Sequence, residues 1–304
     1  MHVLITGGAG YIGSELVKRL VNNSSILRIT IYDNLSRSNY NLFIGDKIGG
    51  TKIQFINGDI LDSRKLRKQL KGVDVVIHLA AKVTTPFANI DSHIFEQVNH
   101  WGTAELVYAL EENPVAQFIF MSSASVYGNT KTEVTEDSIP TPSSFYGVSK
   151  WRAESHVMRL MGKMNTIILR CGNVYGFSQS MRFDAVINKF MFDAHFHNRV
   201  SIEGNGKQHR TFIHIDKVTF MLEQLLQHKI ESGVYNLSDK NLSVFELIET
   251  MQTMYSGLEF MFINQHLSMQ EMKVKPLSKL YSYLALPQSD LADELQQFKS
   301  RFAF

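Results

Sequence analysis

What the chain has least of is cysteine. Cys171 is the only one in 304 residues, which excludes an internal disulfide and suits a reducing, cytoplasmic setting. Excess charge of one sign is also missing: 31 Lys and Arg face 29 Asp and Glu, a formal net of +2. No basic run is long enough to follow a nucleic acid or an anionic membrane surface, so neither is expected as a partner. No apolar run reaches bilayer length, and the first strand begins at His2, leaving no room for a signal peptide. Repeats and low-complexity tracts are absent. The remainder, 44% hydrophobic and 20% charged, is that of a globular protein with ample core. The length fits one large α/β domain or one domain with a smaller lobe.

Against these absences stands the opening stretch, MHVLITGGAGYIG. Val3 to Ile5 suit a strand buried on both faces, Thr6 to Gly10 break it, and Tyr11 to Val21 resume with helical spacing. A strand, a glycine turn and a helix set free backbone N–H groups at a positive helix terminus, where a pyrophosphate fits. Gly7, Gly10 and Gly13 give GxxGxxG spacing, and a glycine-rich turn without a ligand is the bland alternative. Leu27 to Tyr32 reads as the next strand, and Asp33 ends it about 20 residues beyond the glycines, where a carboxylate accepts from ribose hydroxyls. That favours NAD over NADP, although Arg37 nearby is a group that pairs with a 2′-phosphate.

Further strands are predicted at 52–57, 73–79, 116–121 and 234–237, the last returning to the sheet. Asp59 falls either near the adenine or at a helix N-cap. Small residues, Ala80 and Ala81, follow the fourth strand, in which His78 reads as a packed residue. A long helix is predicted over 93–113, ending before Pro114, with Asn99 inside it either exposed or part of the site. Residues 129–144 read as a surface loop, 178–199 as a helix, and another helix starts at Ser243. Tyr146 and Lys150 are four apart on a helix running to about 161, hence on one face. An ammonium beside a phenol lowers its pKa from about 10 towards neutrality, which makes a general base. The bland reading is a half-exposed helix face.

With these pieces in order, the chain resembles the extended short-chain dehydrogenase/reductase family, specifically its nucleotide-sugar epimerases and dehydratases. The matching segments are TGGAGYIG (6–13), YDNLSRS (32–38), NGDI (57–60), HLAA (78–81), NHWGT (99–103), SSASVYG (122–128), YGVSK (146–150), LRCGNVYG (169–176) and GNGKQHRTFIHIDKV (204–218). A weaker echo, KPLSKLYSYLAL, is similar to the family's final helix. The resemblance implies an α/β fold, a Rossmann-type doubly wound parallel sheet with a smaller C-terminal substrate lobe. The division it implies is an NAD-binding part at 1–172, rejoined by about 211–256, and a substrate lobe at 173–304.

It also implies roles. Tyr146 is the acid/base, Lys150 lowers its pKa and holds the nicotinamide ribose, and Ser123 hydrogen-bonds the reacting oxygen. Gly7, Gly10, Tyr11, Ile12, Gly13, Asp33, Asn34, Asp59, Ile60, Leu79, Ala80, Ala81 and Asn99 line the cofactor, together with Tyr146 and Lys150. Ser125, Asn173 and Arg210 join Ser123 and Tyr146 at the substrate, a nucleotide-diphosphate sugar. No metal is implied. The family's homodimer, packed through helices around 93–112 and 144–161, makes Trp101, Val107 and Met158 interface or core residues.

Three departures bear on activity. Dehydratases of the family carry an Asp or Glu pair beside the catalytic hydroxyl, where this chain has Ala124-Ser125. Phe177 stands in place of a proline, and Thr211 and Lys217 stand where acidic residues are common. Arg182 reads either as a contact for an anion or as a solvated helix residue. The expectation is an NAD-dependent epimerase acting at carbon 4. A nucleotide-sugar or 4-keto-sugar reductase would use the same residues with exchanging NAD(P)H. The intact Ser123, Tyr146 and Lys150 set argues against a non-catalytic NAD-binding scaffold.

Overall fold

The computed structural model describes residues 1–44, 48, 52–83, 92–264 and 269–304. The first part of the chain alternates strands and helices: β1 (His2–Thr6), α1 (Tyr11–Val21), β2 (Arg28–Asp33), β3 (Ile53–Asn57), α2 (Ser63–Gln69) and β4 (Val75–His78). Helix α3 (Ser92–Phe95) passes through a π-helical stretch, Glu96–Trp101, into α4 (Gly102–Glu112), and β5 (Gln117–Ser123) follows. Next come β6 (Glu133–Val134), α5 (Phe145–Met158), β7 (Asn165–Cys171), β8 (Asn173–Tyr175), α6 (Val186–His197), β9 (Arg199–Glu203) and β10 (His209–His214). The last part holds α7 (Ile215–Gln227), β11 (Gly233–Leu237), β12 (Lys240–Ser243), α8 (Val244–Gln252), β13 (Glu259–Ile263), β14 (Lys273–Val274) and α9 (Leu291–Lys299).

Seven strands form one sheet in the order β3-β2-β1-β4-β5-β7-β11, every pair parallel. The chain moves outward from β1 to β3, then jumps to the other side of β1 for β4. That reversal opens a crevice beyond the carboxyl ends of β1 and β4, the place where doubly wound sheets bind ligands. The strand expected at 234–237 is β11, which pairs with β7 at the sheet edge. Alternation along β1 explains the two-sided core: Val3 and Ile5 pack with Leu16 and Leu20 of α1 and Met221 of α7, while Leu4 faces Leu106 and Leu110 of α4. A separate core joins Phe190 and Met191 of α6, Phe212 of β10, Leu247 of α8 and Phe298 of α9.

Three boundaries differ from expectation. The helix predicted over 178–199 begins only at Val186, because Ser178 and Ser180 spend their hydroxyls on carbonyls of the N-terminal segment. Only Lys279–Ser282 of the segment compared with a final helix is helical, as a single 3₁₀ turn capped by Ser278; the last helix is α9. Asp62, not Asp59, caps α2, accepting from Lys65 N.

The unexpected Lys217 is matched from far along the chain. It pairs with Asp239 and with Glu294 of α9, and Lys240 reaches the same two carboxylates. Burial works to raise the Glu294 pKa, but hydrogen bonds from Lys217, Ser289 and Tyr175 and the charge of Lys240 outweigh it, holding the group at about 2. A depressed carboxylate contributes stability that is complete above its unfolded pKa and is lost as pH falls through the folded one. Acid titration of the wild type should therefore lose more stability between about pH 4.5 and 2 than the Glu294→Gln variant does, as read by the unfolding midpoint in urea at each pH.

Candidate active site

The glycine turn lies in the crevice. Gly7 adopts a φ of +71°, and its N–H donates to Tyr32 O at 2.8 Å. A Cβ there would stand 2.6 Å from Ala80 N, so β1's turn presses directly on the backbone after β4. Gly10 caps α1 with no side-chain hydrogen bond, leaving the first-turn N–H groups of Tyr11, Ile12 and Gly13 without an intrahelical partner. Asp33, at the tip of β2, accepts from Ala9 N at 3.0 Å and Leu35 N at 2.8 Å, and burial raises its pKa. Asn34 donates to Asp59 at 2.8 Å, and Ile60 packs against Gly102. Leu79, Ala80 and Ala81 are half-buried beside the turn, with Leu79 N bonded to Thr6 O at 3.0 Å. An uncapped helix start, a carboxylate at the second strand's tip and a narrow gap of small residues fit a dinucleotide.

Arg37, the group that kept NADP open, pairs with Asp184 at 3.6 Å. His78 is fully buried between Thr6 and Thr103, bonded at both ring nitrogens, as its reading as a packed residue required.

Over the turn lies the segment from Gly176 to Asp184. Ser180 donates to Ala9 O at 2.9 Å, Ser178 to Tyr11 O at 2.9 Å, and Gln179 N to Glu15 at 2.8 Å. The Tyr11 hydroxyl donates to Gly176 O at 2.7 Å and accepts from Asn188 at 3.1 Å, so this side chain joins α1 to the segment after β8 and to α6.

At the other end of the crevice, Ser144 caps α5 through Gly147 N. Gly147 lets the helix approach closely, because a Cβ there would lie 2.5 Å from Ser125 O. This brings Tyr146 beside the tip of β5, where Ser123 accepts from Ser125 N at 3.1 Å and its hydroxyl eases ionisation of the phenol. Tyr146 is buried edge-on to Phe95, with ring centroids 6.1 Å apart. Asn99 is not exposed: in the π-helical stretch it accepts from Lys82 N at 2.8 Å and donates to Lys82 O and Ser149 Oγ.

One electrostatic expectation is corrected. Burial outweighs the favourable neighbours and holds the Tyr146 pKa above 10, and the cation that lowers it is Arg182, not Lys150. The Lys150 ammonium, 2% exposed, instead donates to Met121 O at 2.8 Å and sits 4.8 Å over the Phe120 ring. Burial pulls its own pKa down to about 7, with Glu154 opposing. Arg182 is the site residue that sequence reasoning undervalued. It lies before α6 rather than on it, forks onto Asp184 at 3.1 and 3.0 Å, and its charge reaches both Tyr146 and Tyr11.

On β8, Asn173 donates to Thr211 O at 3.0 Å. The side chain of Arg210, on β10, has no hydrogen-bond or ion-pair partner among the described residues, and burial lowers its pKa. A half-buried guanidinium left unpaired is a ready fork for an anion. Of the suggested interface residues, Val107 belongs to the core beneath the sheet, whereas Trp101 and Met158 are 51% and 41% exposed. No helix among the described residues is long and apolar enough to cross a membrane.

Comparison with known proteins agrees with this geometry. A sequence model of the NAD dependent epimerase/dehydratase family matches residues 3–238. A dTDP-D-glucose 4,6-dehydratase of Mus musculus is 31% identical over 82% of the chain and 72% of its own length. A putative UDP-glucose 4-epimerase of Methanocaldococcus jannaschii is also 31% identical, over 82% of the chain and 81% of its own. Among solved structures, the UDP-glucuronic acid 4-epimerase of Bacillus cereus, in complex with UDP-glucuronic acid and NAD, superposes with a TM-score of 0.86 at 27% identity. That match covers 99% of this chain and 98% of the other.

Proposed function

Because the chain belongs to the NAD dependent epimerase/dehydratase family, we propose that it inverts carbon 4 of a nucleotide-diphosphate sugar through a transient 4-keto intermediate. NAD is the cofactor, held by the first-turn N–H groups of α1 and, at its adenosine ribose, by Asp33. When bound, it supplies the ability to accept a hydride and return it. Tyr146 takes the proton of the carbon 4 hydroxyl and gives it back after the ketone has turned over within the site. Ser123 hydrogen-bonds the same oxygen. Lys150, anchored on Met121 O, faces the nicotinamide ribose, and Arg182 favours the phenolate.

The observation that carries epimerisation over dehydration is the company of Tyr146. Ser123 stands beside it at the tip of β5, and the two positions that follow are Ala124 and Ser125, not a carboxylate pair. Loss of water from a sugar needs an acid and a base besides the tyrosine, and Ala124 and Ser125 offer neither. Arg210 is assigned to the diphosphate. Arg210→Gln should raise KM roughly 10- to 100-fold and leave kcat within a few-fold, since the contact is made equally in ground and transition states. The exposed face around Trp101 and Met158 is assigned to a homodimer contact.

The test is an NMR assay of purified protein with UDP-, GDP- and dTDP-sugars and no added cofactor. Inversion at carbon 4, with NAD released on denaturation, supports the proposal. Reduction of 4-keto sugars only when NADH or NADPH is supplied transfers it to a reductase, and loss of water from the sugar overturns it.

A further inference from the structure

One buried charge is left without a task by this reaction. Glu154 lies on α5 one turn beyond Lys150 and is fully buried. It accepts a fork from Arg170 of β7, at 3.1 and 2.7 Å, and a hydrogen bond from Ser122 at the tip of β5. Arg170 lies 4.9 Å from the centre of the Tyr127 ring, and Tyr127 in turn bonds Asn236 of β11 at 2.7 Å.

The position of Ser122 makes this arrangement more than a strut. Its neighbour on one side is Met121, whose carbonyl holds Lys150, and on the other Ser123, which touches the tyrosine site. A single carboxylate thus ties the strand that carries Ser123 to the helix that carries Tyr146 and Lys150. We propose that Glu154 is a positioning residue that sets both the place and the charge of Lys150. This rests on the reading of Tyr146 and Lys150 as the working pair.

The groups around the ammonium are few. Phe120 of β5 lies under it, and β4 contributes His78, whose ring is kept neutral by burial and by the Lys150 charge. Helix α5 contributes Glu154, whose partner Arg170 stands on β7, while Arg182 and Cys171 act on Tyr146. Among the described residues, Glu154 is the one anion that acts on Lys150. Without it, a buried lysine has burial alone to set its titration.

The sign of the change separates this proposal from a merely structural role. In protein labelled with ¹³Cε-lysine, the resonance missing from Lys150→Met reports the titration of Lys150. Glu154→Gln, which keeps the shape and the bond to Ser122, should lower the midpoint by about one unit. Glu154→Asp, which keeps the charge, should stay within about 0.3 unit of wild type. Loss of a simple strut would loosen the site, admit water and raise the midpoint towards the free-lysine value. An unchanged or raised midpoint in Glu154→Gln overturns the proposal. Should that variant fail to fold, Glu154→Gln/Arg170→Met is compared with Arg170→Met, so that the missing arginine cancels: the double variant should titrate about one unit below the single one, and an equal or higher midpoint overturns the proposal. The measurement needs no turnover, so an inactive wild type would sink the functional reading without moving the midpoint, and the two failures are distinguishable.

Discussion

Tyr146→Phe is expected to reduce kcat roughly 10³-fold, within the range typical of a lost general base, while NAD still copurifies with the protein. In the proposed reaction the phenol moves the carbon 4 proton, and removing its oxygen leaves the packing against Phe95 intact. Stability should therefore change little, and Tm should fall by no more than a few degrees. The pH profile gives a second reading of the same group. Burial holds the phenol's pKa up, so the wild-type rate should rise with pH as the phenolate fraction grows, and Tyr146→Phe should lose that rise. Full activity in the variant, with no change in the profile, would sink the assignment.

The second large effect is expected at Gly7. An alanine there must hold a left-handed backbone, and its Cβ would enter the backbone of Ala80 at 2.6 Å. Strain and overpacking together should cost about 3 kcal/mol. Neither neighbour is a flexible side chain that can swing aside, so relief requires β1 and β4 to separate at the mouth of the crevice. Gly7→Ala should thus purify without NAD and unfold at a clearly lower temperature, both visible by absorbance of the denatured supernatant and by thermal melting. An alanine variant that binds NAD normally would show that the turn does not have to approach Ala80 so closely.

Both predictions rest on features that can be read locally along the chain. Gly7, Asp33 and the Tyr146–Lys150 spacing lie at strand tips and on one helix face, where period and punctuation speak directly. The buried fate of Asn99 is harder to see, because a π-helical stretch shifts which side of a helix a residue faces. Arg182 was obscured in another way: an apolar rhythm around it suggested a continuous helix, whereas serine hydroxyls bonding to distant carbonyls keep residues 178–185 out of one. The direction of the Tyr146 pKa depended on burial, which spacing does not contain. Lys217 looked like a substitution without a reason, because its partner Glu294 lies on the last helix, beyond the reach of any local pattern.

The seam over the glycine turn has a kinetic meaning. Residues 176–180 support the turn through Ser178, Gln179 and Ser180 and through the Tyr11 hydroxyl. Moving residues 176–180 away would break these bonds and loosen the glycine turn, which the proposed function assigns to the pyrophosphate. If the proposed division of the chain holds, departure of the dinucleotide and opening of the sugar-binding part should be one slow event rather than two. The proposed epimerase, which must hand the same hydride back to the same molecule, would gain from that arrangement, since the half-finished ketone and its reductant would stay shut in together.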